Sequence, residues 1–360
     1  MRLVFVTQTL DVDHPALAQS LDLVKALARR CDELVVLCQS VGTLPELPAN
    51  VRVRSFGSRW RLARGGCFVS GLAAELVRRP RPVAVLAHMV PLYVILAAPL
   101  AKPLGVRLAL WYTHWSSGAL LRAATRLADV VLSVDRRSFP LTSPKVRGIG
   151  HAIDVDAFAP GGARPSGARL RLLALGRTAR WKGYDTMLAA LERAVADGVD
   201  VELEIRGPQL TVDELAHRRE LESAVASSSS LRGRVTIEPP SPRADMPALL
   251  AGVDALVSAT QPRGGSMTLD KVVYEAAACG VPVLASNPAL DEFLSGLALE
   301  LRFAPRDARR LAELIRELAD APAERRDAAG AELRRRVVAS HSVESWADAV
   351  AAAVRDRGRE

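Results

Sequence analysis

Short apolar runs alternate along this chain with stretches whose apolar positions recur at helical spacing, the pattern of parallel sheets covered by helices on both faces. In the first half the runs Leu3–Thr7, Leu34–Cys38, Val51–Phe56, Val83–Ala87, Arg107–Tyr112 and Val130–Val134 read as strands. Helices near Ala16–Arg30, Gly66–Arg79, Leu92–Leu104 and Ala119–Leu127 fill most of the gaps. A second series begins at Leu170–Leu175 and continues with Val201–Arg206, Val235–Glu238, Ala255–Ser258 and Val281–Ala285. Between them, His151–Ala168 carries Pro160, Gly161, Gly162, Pro165 and Gly167, the punctuation of a linker.

This pattern predicts an α/β chain of two doubly wound domains, residues 1–150 and 169–340, joined by a linker over 151–168. A last helix from about Val343 to Val354, within a segment 341–360, is positioned to return to the first domain with Trp346 as its anchor. Length agrees, since 360 residues exceed one ordinary core. In open parallel sheets a ligand sits at the carboxyl ends of the strands, so two such domains facing each other would enclose a cleft suited to two substrates.

Composition narrows the class. Hydrophobic residues make up 49% and charged residues 24%, a globular balance without a low-complexity tail. Cys31, Cys38, Cys67 and Cys279 have neither the paired spacing of a zinc site nor a disulfide framework, and no cleavable signal precedes the first strand. These features predict reduced thiols and a cytoplasmic protein. The run near Val83–Leu104 is broken by His88, Pro91, Pro99, Lys102 and Pro103, so it reads as strand, loop and buried helix rather than a membrane span.

The net charge of +8, with a pI near 9.8, has a plain explanation in an Arg- and Ala-rich compositional bias. A sharper explanation rests on placement. Arg52, Arg54, Arg59, Arg61 and Arg64 flank Phe56 and Trp60, and an apolar stretch from Cys67 to Val77 leads to Arg78, Arg79 and Arg81. Cations beside an apolar helix with aromatic edges suit adsorption on anionic lipid. No nucleic-acid motif accompanies the charge, so that class of partner is not expected.

Two segments carry the candidate chemistry. In Leu175–Tyr184, LGRTARWKGY, a strand ends at Gly176 and the loop before the next helix bears Arg177 and Lys182. A guanidinium grips phosphate oxygens bidentately and an ammonium adds a compact charge, so the pair suits a diphosphate; solvated loop cations are the alternative. In Leu269–Ser286 a helix carries Lys271 and Glu275 one turn apart. A carboxylate among Val272, Val273, Ala276 and Ala277 needs hydroxyls or cations to satisfy it, which a ribose diol or a structural salt bridge would supply. The preceding Arg263–Thr268 loop, with Gly264, Gly265, Ser266, Met267 and Thr268, would present free backbone amides to phosphate. On the first domain, His114 ends a strand in WYTHWSSG and His88 ends the preceding one, while His14 lies on the first strand-to-helix loop. All three are candidates for the acceptor side of a cleft, and His151 at the linker is as suited to a hinge contact.

Together these phrases resemble the retaining nucleotide-sugar glycosyltransferases of family four, glycosyl transferases of group 1, whose fold of two facing Rossmann-like domains is called GT-B. The resemblance spans nearly the whole chain. LGRTARWKGYDTMLAA is similar to the family's strand, GR loop, KG and helix, and YEAAACGVPVLAS to its EAxAxGxPVxA element. GHAIDVDAFAP resembles the linker phrase, WYTH the strand-end histidine, ADVVLSVDRRSF the strand before the linker, and HSVESWADAV the terminal helix that crosses back.

The resemblance implies a metal-independent retaining hexosyltransferase with no cofactor, using a UDP- or GDP-linked sugar and an acceptor hydroxyl on a glycolipid, lipid-linked saccharide or polysaccharide precursor. Arg177 and Lys182, beside Gly176, would hold the diphosphate. Glu275 would accept from the ribose hydroxyls, and Ser266, Thr268, Leu269, Asp270 and Lys271 would line the phosphate approach. His114 would lie near the sugar and the acceptor. The implied place of action is the cytoplasm, at the inner face of the membrane.

Two departures qualify it. The family commonly has a second glutamate eight positions before Glu275, where this chain has Met267. The first strand-to-helix loop, Thr7 to Gln19, lacks the usual glycine pair and carries Asp11, Asp13 and His14. A nucleotide-sugar epimerase on the same fold and a non-catalytic nucleotide-binding subunit are the competing readings.

Overall fold

The computed structural model describes residues 1–14, 17–161, 169–261 and 269–356. It divides into two compact units, 1–152 with 340–360, and 153–339. The first holds strands β1 (Arg2–Leu10), β2 (Glu33–Val41), β3 (Val51–Ser55), β4 (Ala84–His88), β5 (Arg107–Trp111), β6 (Val130–Ser133) and β7 (Val146–Gly148). Its helices are α1 (Ser20–Ala28), α2 (Arg61–Val77), α3 (Pro91–Ala101) and α4 (Ala119–Leu127). The second holds β8 (Leu170–Leu175), β9 (Val201–Arg206), β10 (Val235–Glu238), β11 (Ala255–Ser258) and β12 (Val283–Ala285). Its helices are α5 (Tyr184–Ala196), α6 (Val212–Ser227), α7 (Met246–Ala251), α8 (Lys271–Ala278), α9 (Asp291–Leu294), α10 (Ala308–Asp320) and α11 (Ala323–Ser340). The last helix, α12 (Val343–Arg355), belongs to the first unit.

Both sheets are parallel, in the orders β3-β2-β1-β4-β5-β6-β7 and β10-β9-β8-β11-β12. The apolar runs are strands because central parallel strands are covered on both faces: Leu3, Val4, Phe5 and Val6 are all fully buried. In each sheet the order reverses beside the first strand of the unit, at β1/β4 and β8/β11, the topological switch where such folds bind ligands.

Several boundaries differ from the sequence reading. The helix expected from Gly66 begins at Arg61, because Gly65 and Gly66 stay helical at an exposed first turn. β7 is only three residues long and offers no apolar run to read. Phe56, expected at an exposed aromatic edge, is core, packed against Phe68 and Tyr93 with ring centroids 5.3 and 5.2 Å away. Arg52 is held by Glu33 at 2.7 Å and Glu75 at 2.8 Å, and Arg78 by Glu33 at 3.1 Å, so part of the basic cluster is internally neutralised.

Helix α12 completes the first core. Trp346 is fully buried, its ring centroid 4.3 Å from that of Trp111, and Val343, Ala347, Val350 and Val354 pack with it. At its outer edge, Arg30 of the turn after α1 meets Asp348 at 2.9 Å and also pairs with Glu344. No helix among the described residues is long and apolar enough to cross a membrane.

Candidate functional site

The second unit gathers its polar side chains at the carboxyl edge of its sheet. β8 ends at Leu175, and Gly176 takes φ +140°, where a Cβ would stand 3.1 Å from Lys182 Cε. Its carbonyl accepts from the Tyr184 hydroxyl at 2.8 Å, and a Cβ on Gly207 would collide with that same oxygen. One 3-10 turn, Arg180–Lys182, then leads through Gly183 (φ +71°) into α5; a side chain on Gly183 would strike the Ala259 carbonyl after β11. These glycines let the loop lie directly on the strand ends.

The loop presents two cations. Lys182 is nearly buried, with its Nζ donating to Asp270 Oδ1 at 2.7 Å and lying 4.7 Å from the centre of the Trp181 ring. The second Asp270 oxygen accepts from the Thr260 hydroxyl at 2.5 Å. Arg177 is partly exposed and engages Glu214 Oε1 through Nε at 3.4 Å.

Glu275 lies on the buried face of α8, 5% exposed. It accepts from Arg243 Nη1 at 3.0 Å and pairs with Lys271 Nζ at 3.3 Å. Burial alone would raise its carboxyl, but Lys271 and Arg243 together outweigh that and hold it below the ordinary carboxylate range. Of the two satisfiers the residue pattern left open, the structure shows the salt bridge. Leu269 is buried just before α8, and Asp270 is its N-cap position. Ser266, Met267 and Thr268 lie outside the described residues.

The histidines follow three adjacent strands of the first sheet, β1, β4 and β5. His114 is exposed beyond β5, its Nδ1 accepting from the Ser116 amide at 3.2 Å and its ring 5.2 Å from Trp115. His14 is half-buried, its Nδ1 accepting from the Leu17 amide at 3.0 Å. His88, expected at the acceptor side, is instead enclosed: 4% exposed, between Phe5 and Trp111 at 5.7 Å each, with the Thr7 hydroxyl 3.0 Å from Nδ1. Burial pushes its pKa down to about 4 and keeps it neutral. His151 packs beside His341, ring centroids 6.3 Å apart, within the first unit.

Sequence reasoning missed Arg243, Glu214, Thr260 and Tyr184. Only Glu214 left a local signal, Thr211-Val212-Asp213-Glu214, the spacing of a capping box. Elsewhere a cavity of about 420 Å³ opens at the opposite, amino edge of the second sheet. There Arg171 pairs with Asp254 and Arg234 with Asp200, which leaves no surplus charge for an anion. Among the described residues no cluster of three or more His, Cys, Asp or Glu could hold a metal ion.

The chain is similar to known proteins in sequence and in fold. Residues 169–321, most of the second unit, match the family described as Glycosyl transferases group 1. A GDP-mannose-dependent monoacylated alpha-(1-6)-phosphatidylinositol monomannoside mannosyltransferase of Corynebacterium glutamicum is 33% identical over 170 residues. That match covers 45% of this chain and 41% of the relative's length. Two solved structures align over the whole chain. Anabaena HepE in complex with UDP and glucose gives a TM-score of 0.73 at 18% identity, covering 99% of each chain. Sucrose-phosphate synthase from Thermosynechococcus elongatus gives 0.73 at 17%, covering 99% of this chain and 98% of its own. The fold is therefore GT-B, two parallel-sheet α/β domains as in these glycosyltransferases.

Proposed function

We propose that the chain transfers a sugar from a UDP- or GDP-linked donor to a hydroxyl of a glycolipid, lipid-linked saccharide or polysaccharide precursor, with retention of configuration and without a metal. The observation that carries this reading is the convergence of Gly176, Arg177, Lys182, Asp270 and Glu275 at one sheet edge, inside the stretch that matches Glycosyl transferases group 1. HepE was solved with UDP, and the Corynebacterium relative is named as GDP-mannose-dependent, so both nucleotides belong in the test. That relative is also named for a lipid-borne acceptor.

In this reading the phosphates take the place of carboxylates already present. The terminal nitrogens of Arg177 face the diphosphate, and Lys182 exchanges Asp270 for a phosphate oxygen. Glu275 accepts from the ribose hydroxyls in exchange for a cation, and the amides between Thr268 and Val272 approach the phosphates. His114 serves the sugar and acceptor side. As the glycosidic bond breaks, negative charge grows on the leaving diphosphate, where fixed cations stabilise it most. The departing phosphate oxygen then takes the proton of the acceptor hydroxyl attacking from the same face, and the enzyme acts by position and charge.

The test is turnover of a panel of UDP- and GDP-sugars with lipid-linked and soluble acceptors. Nucleoside diphosphate released only with acceptor, and a product whose anomeric configuration by NMR equals the donor's, are the expected results. An inverted product overturns retention. A changed sugar formed from donor alone indicates an epimerase, and tight binding without any turnover indicates a non-catalytic subunit.

The lipid contact is separable and narrower than the charge pattern suggested. Trp60 and Leu62 are 77% and 92% exposed and alternate with exposed Arg59 and Arg61 at the start of α2, which has no acidic residue in its first turn. We assign this corner to an anionic membrane surface at the inner face of the membrane. Flotation with anionic vesicles that is unchanged in Trp60→Ser/Arg61→Ser removes the assignment.

A further inference from the structure

Helix α6 has the wrong buried face for a packing helix. Among its sixteen residues the buried ones are Glu214, His217 and Leu221, so two of three are polar, and both polar side chains turn to the loop that follows β8. Glu214 is 4% exposed and His217 fully buried. A carboxylate and an imidazole there cost desolvation energy that apolar side chains would not, unless their partners require them.

Their partners are the loop itself. Glu214 Oε1 lies 3.4 Å from Arg177 Nε, Oε2 accepts from the Leu210 amide at 2.7 Å, and the Glu214 carbonyl accepts from the Thr178 hydroxyl at 3.0 Å. His217 Nδ1 donates to the Thr178 carbonyl at 2.8 Å, and Nε2 stands 3.3 Å from Asp185 Oδ2 at the start of α5. Further out, Arg180 donates two bonds of 2.8 Å to Glu220. The residue on either side of the Arg177–Thr178 peptide is therefore fastened to α6.

The point of attachment matters. The nearest approach of Glu214 to the Arg177 guanidinium is at Nε, an ion pair at 3.4 Å, and among the described residues the two terminal nitrogens donate no hydrogen bond. A buried carboxylate on the Nε side draws the guanidinium toward it while the outer fork keeps its donors for bidentate contact with phosphate, which narrows the rotamers the side chain must lose on binding. We propose that α6 is the positioning element of the diphosphate site, with Glu214 aiming the Arg177 fork and His217 fixing the loop backbone beneath it. The proposal rests on the donor-site reading above. Glu214 and His217 touch no reacting atom in it; they act through Arg177 and Thr178.

Titration calorimetry with UDP and GDP tests it. Glu214→Gln keeps an acceptor for the Leu210 amide but loses the charge on Nε, and is expected to weaken the bound diphosphate about tenfold. In an Arg177→Ala background the same change is expected to cost less than about twofold, because its effect runs through the guanidinium. An equal loss in both backgrounds, or affinity within about twofold of native in Glu214→Gln alone, overturns the proposal. Should Glu214→Gln not fold, His217→Leu and His217→Gln give the second comparison: Leu is expected to weaken binding about fivefold, and Gln, whose amide can donate to the Thr178 carbonyl, to restore most of it. If the two coincide, α6 does not position the loop. A native protein that binds neither UDP nor GDP takes down the donor site and this inference together; native binding with unaffected variants takes down only the inference.

Discussion

The carboxyl edges of the two sheets are built by different physics. In the second unit each cation already faces a carboxylate: Lys182 on Asp270, Arg177 on Glu214, Arg243 and Lys271 on Glu275. In the first unit the matching edge is aromatic, with His88 sealed between Phe5 and Trp111 and His114 exposed beside Trp115. One edge is built of fixed charges in pairs, which the proposed donor site would exchange for a diphosphate. The other is held by packed rings, and its carboxylates Asp11 and Asp135 are turned to nearby backbone amides.

The largest expected effect breaks this comparison directly. Arg177→Ala and Lys182→Ala should each lower kcat/KM by roughly 10²–10³, the loss typical of a fixed group that stabilises transition-state charge. His114→Ala should cost about tenfold, at the low end for a positioning group. Comparable losses on both edges would show that charge does not distinguish them.

Stability separates the units next. Trp346→Ala leaves a cavity against Trp111 and should cost about 3–5 kcal/mol. Amide exchange should then accelerate in α1, β5 and α12 while β8 and α5 keep their protection. Equal acceleration in both units would make them one cooperative body.

Acid sharpens the contrast through sign. The pKa of His88 falls from an ordinary 6.5 to about 4 on burial, so the folded state binds fewer protons than the unfolded chain between those values. Its contribution is full above about 6.5, is lost as pH falls toward 4, and amounts to about 3 kcal/mol. His341, also in the first unit and lowered to about 4 by burial, adds a second contribution in the same window. Glu275 behaves differently. Held below its ordinary 4.5, it stabilises the second unit above that value and is lost only at more acid pH. Urea unfolding from pH 7 to 4 should therefore lose stability from the first unit first, and His88→Gln should remove about half of that slope. An unchanged slope would mean that His88 is not held neutral.

The smallest effect is at the surface. Trp60→Ser/Arg61→Ser should alter stability by no more than about 0.5 kcal/mol while lowering vesicle affinity severalfold, with the difference shrinking as salt screens the charge.

What the sequence made legible follows from the same contrast. Strands buried on both faces announce themselves as apolar runs, and β8, β9, β10 and β11 match the reading residue for residue. The placement of Arg177 and Lys182 after a strand and of Glu275 on a helix was legible because strand ends and a helix face fix their neighbourhood. Their counter-charges were not, since Arg243 lies 32 residues before Glu275, and Glu214 is 37 after Arg177, joined only by the fold. His88 looked like a free strand-end histidine because its enclosure comes from β1 and β5, not from its own segment.

The return of α12 has a temporal consequence. As the chain leaves the ribosome, β1 to β7 emerge first, yet the socket against Trp111 stays unfilled until Trp346 follows nearly two hundred residues later. The second unit, contiguous from 153 to 339, can close before then. The part synthesised first is thus the part finished last, and a released chain ending at Ser340 would hold one complete unit and one that still exposes apolar surface to chaperones.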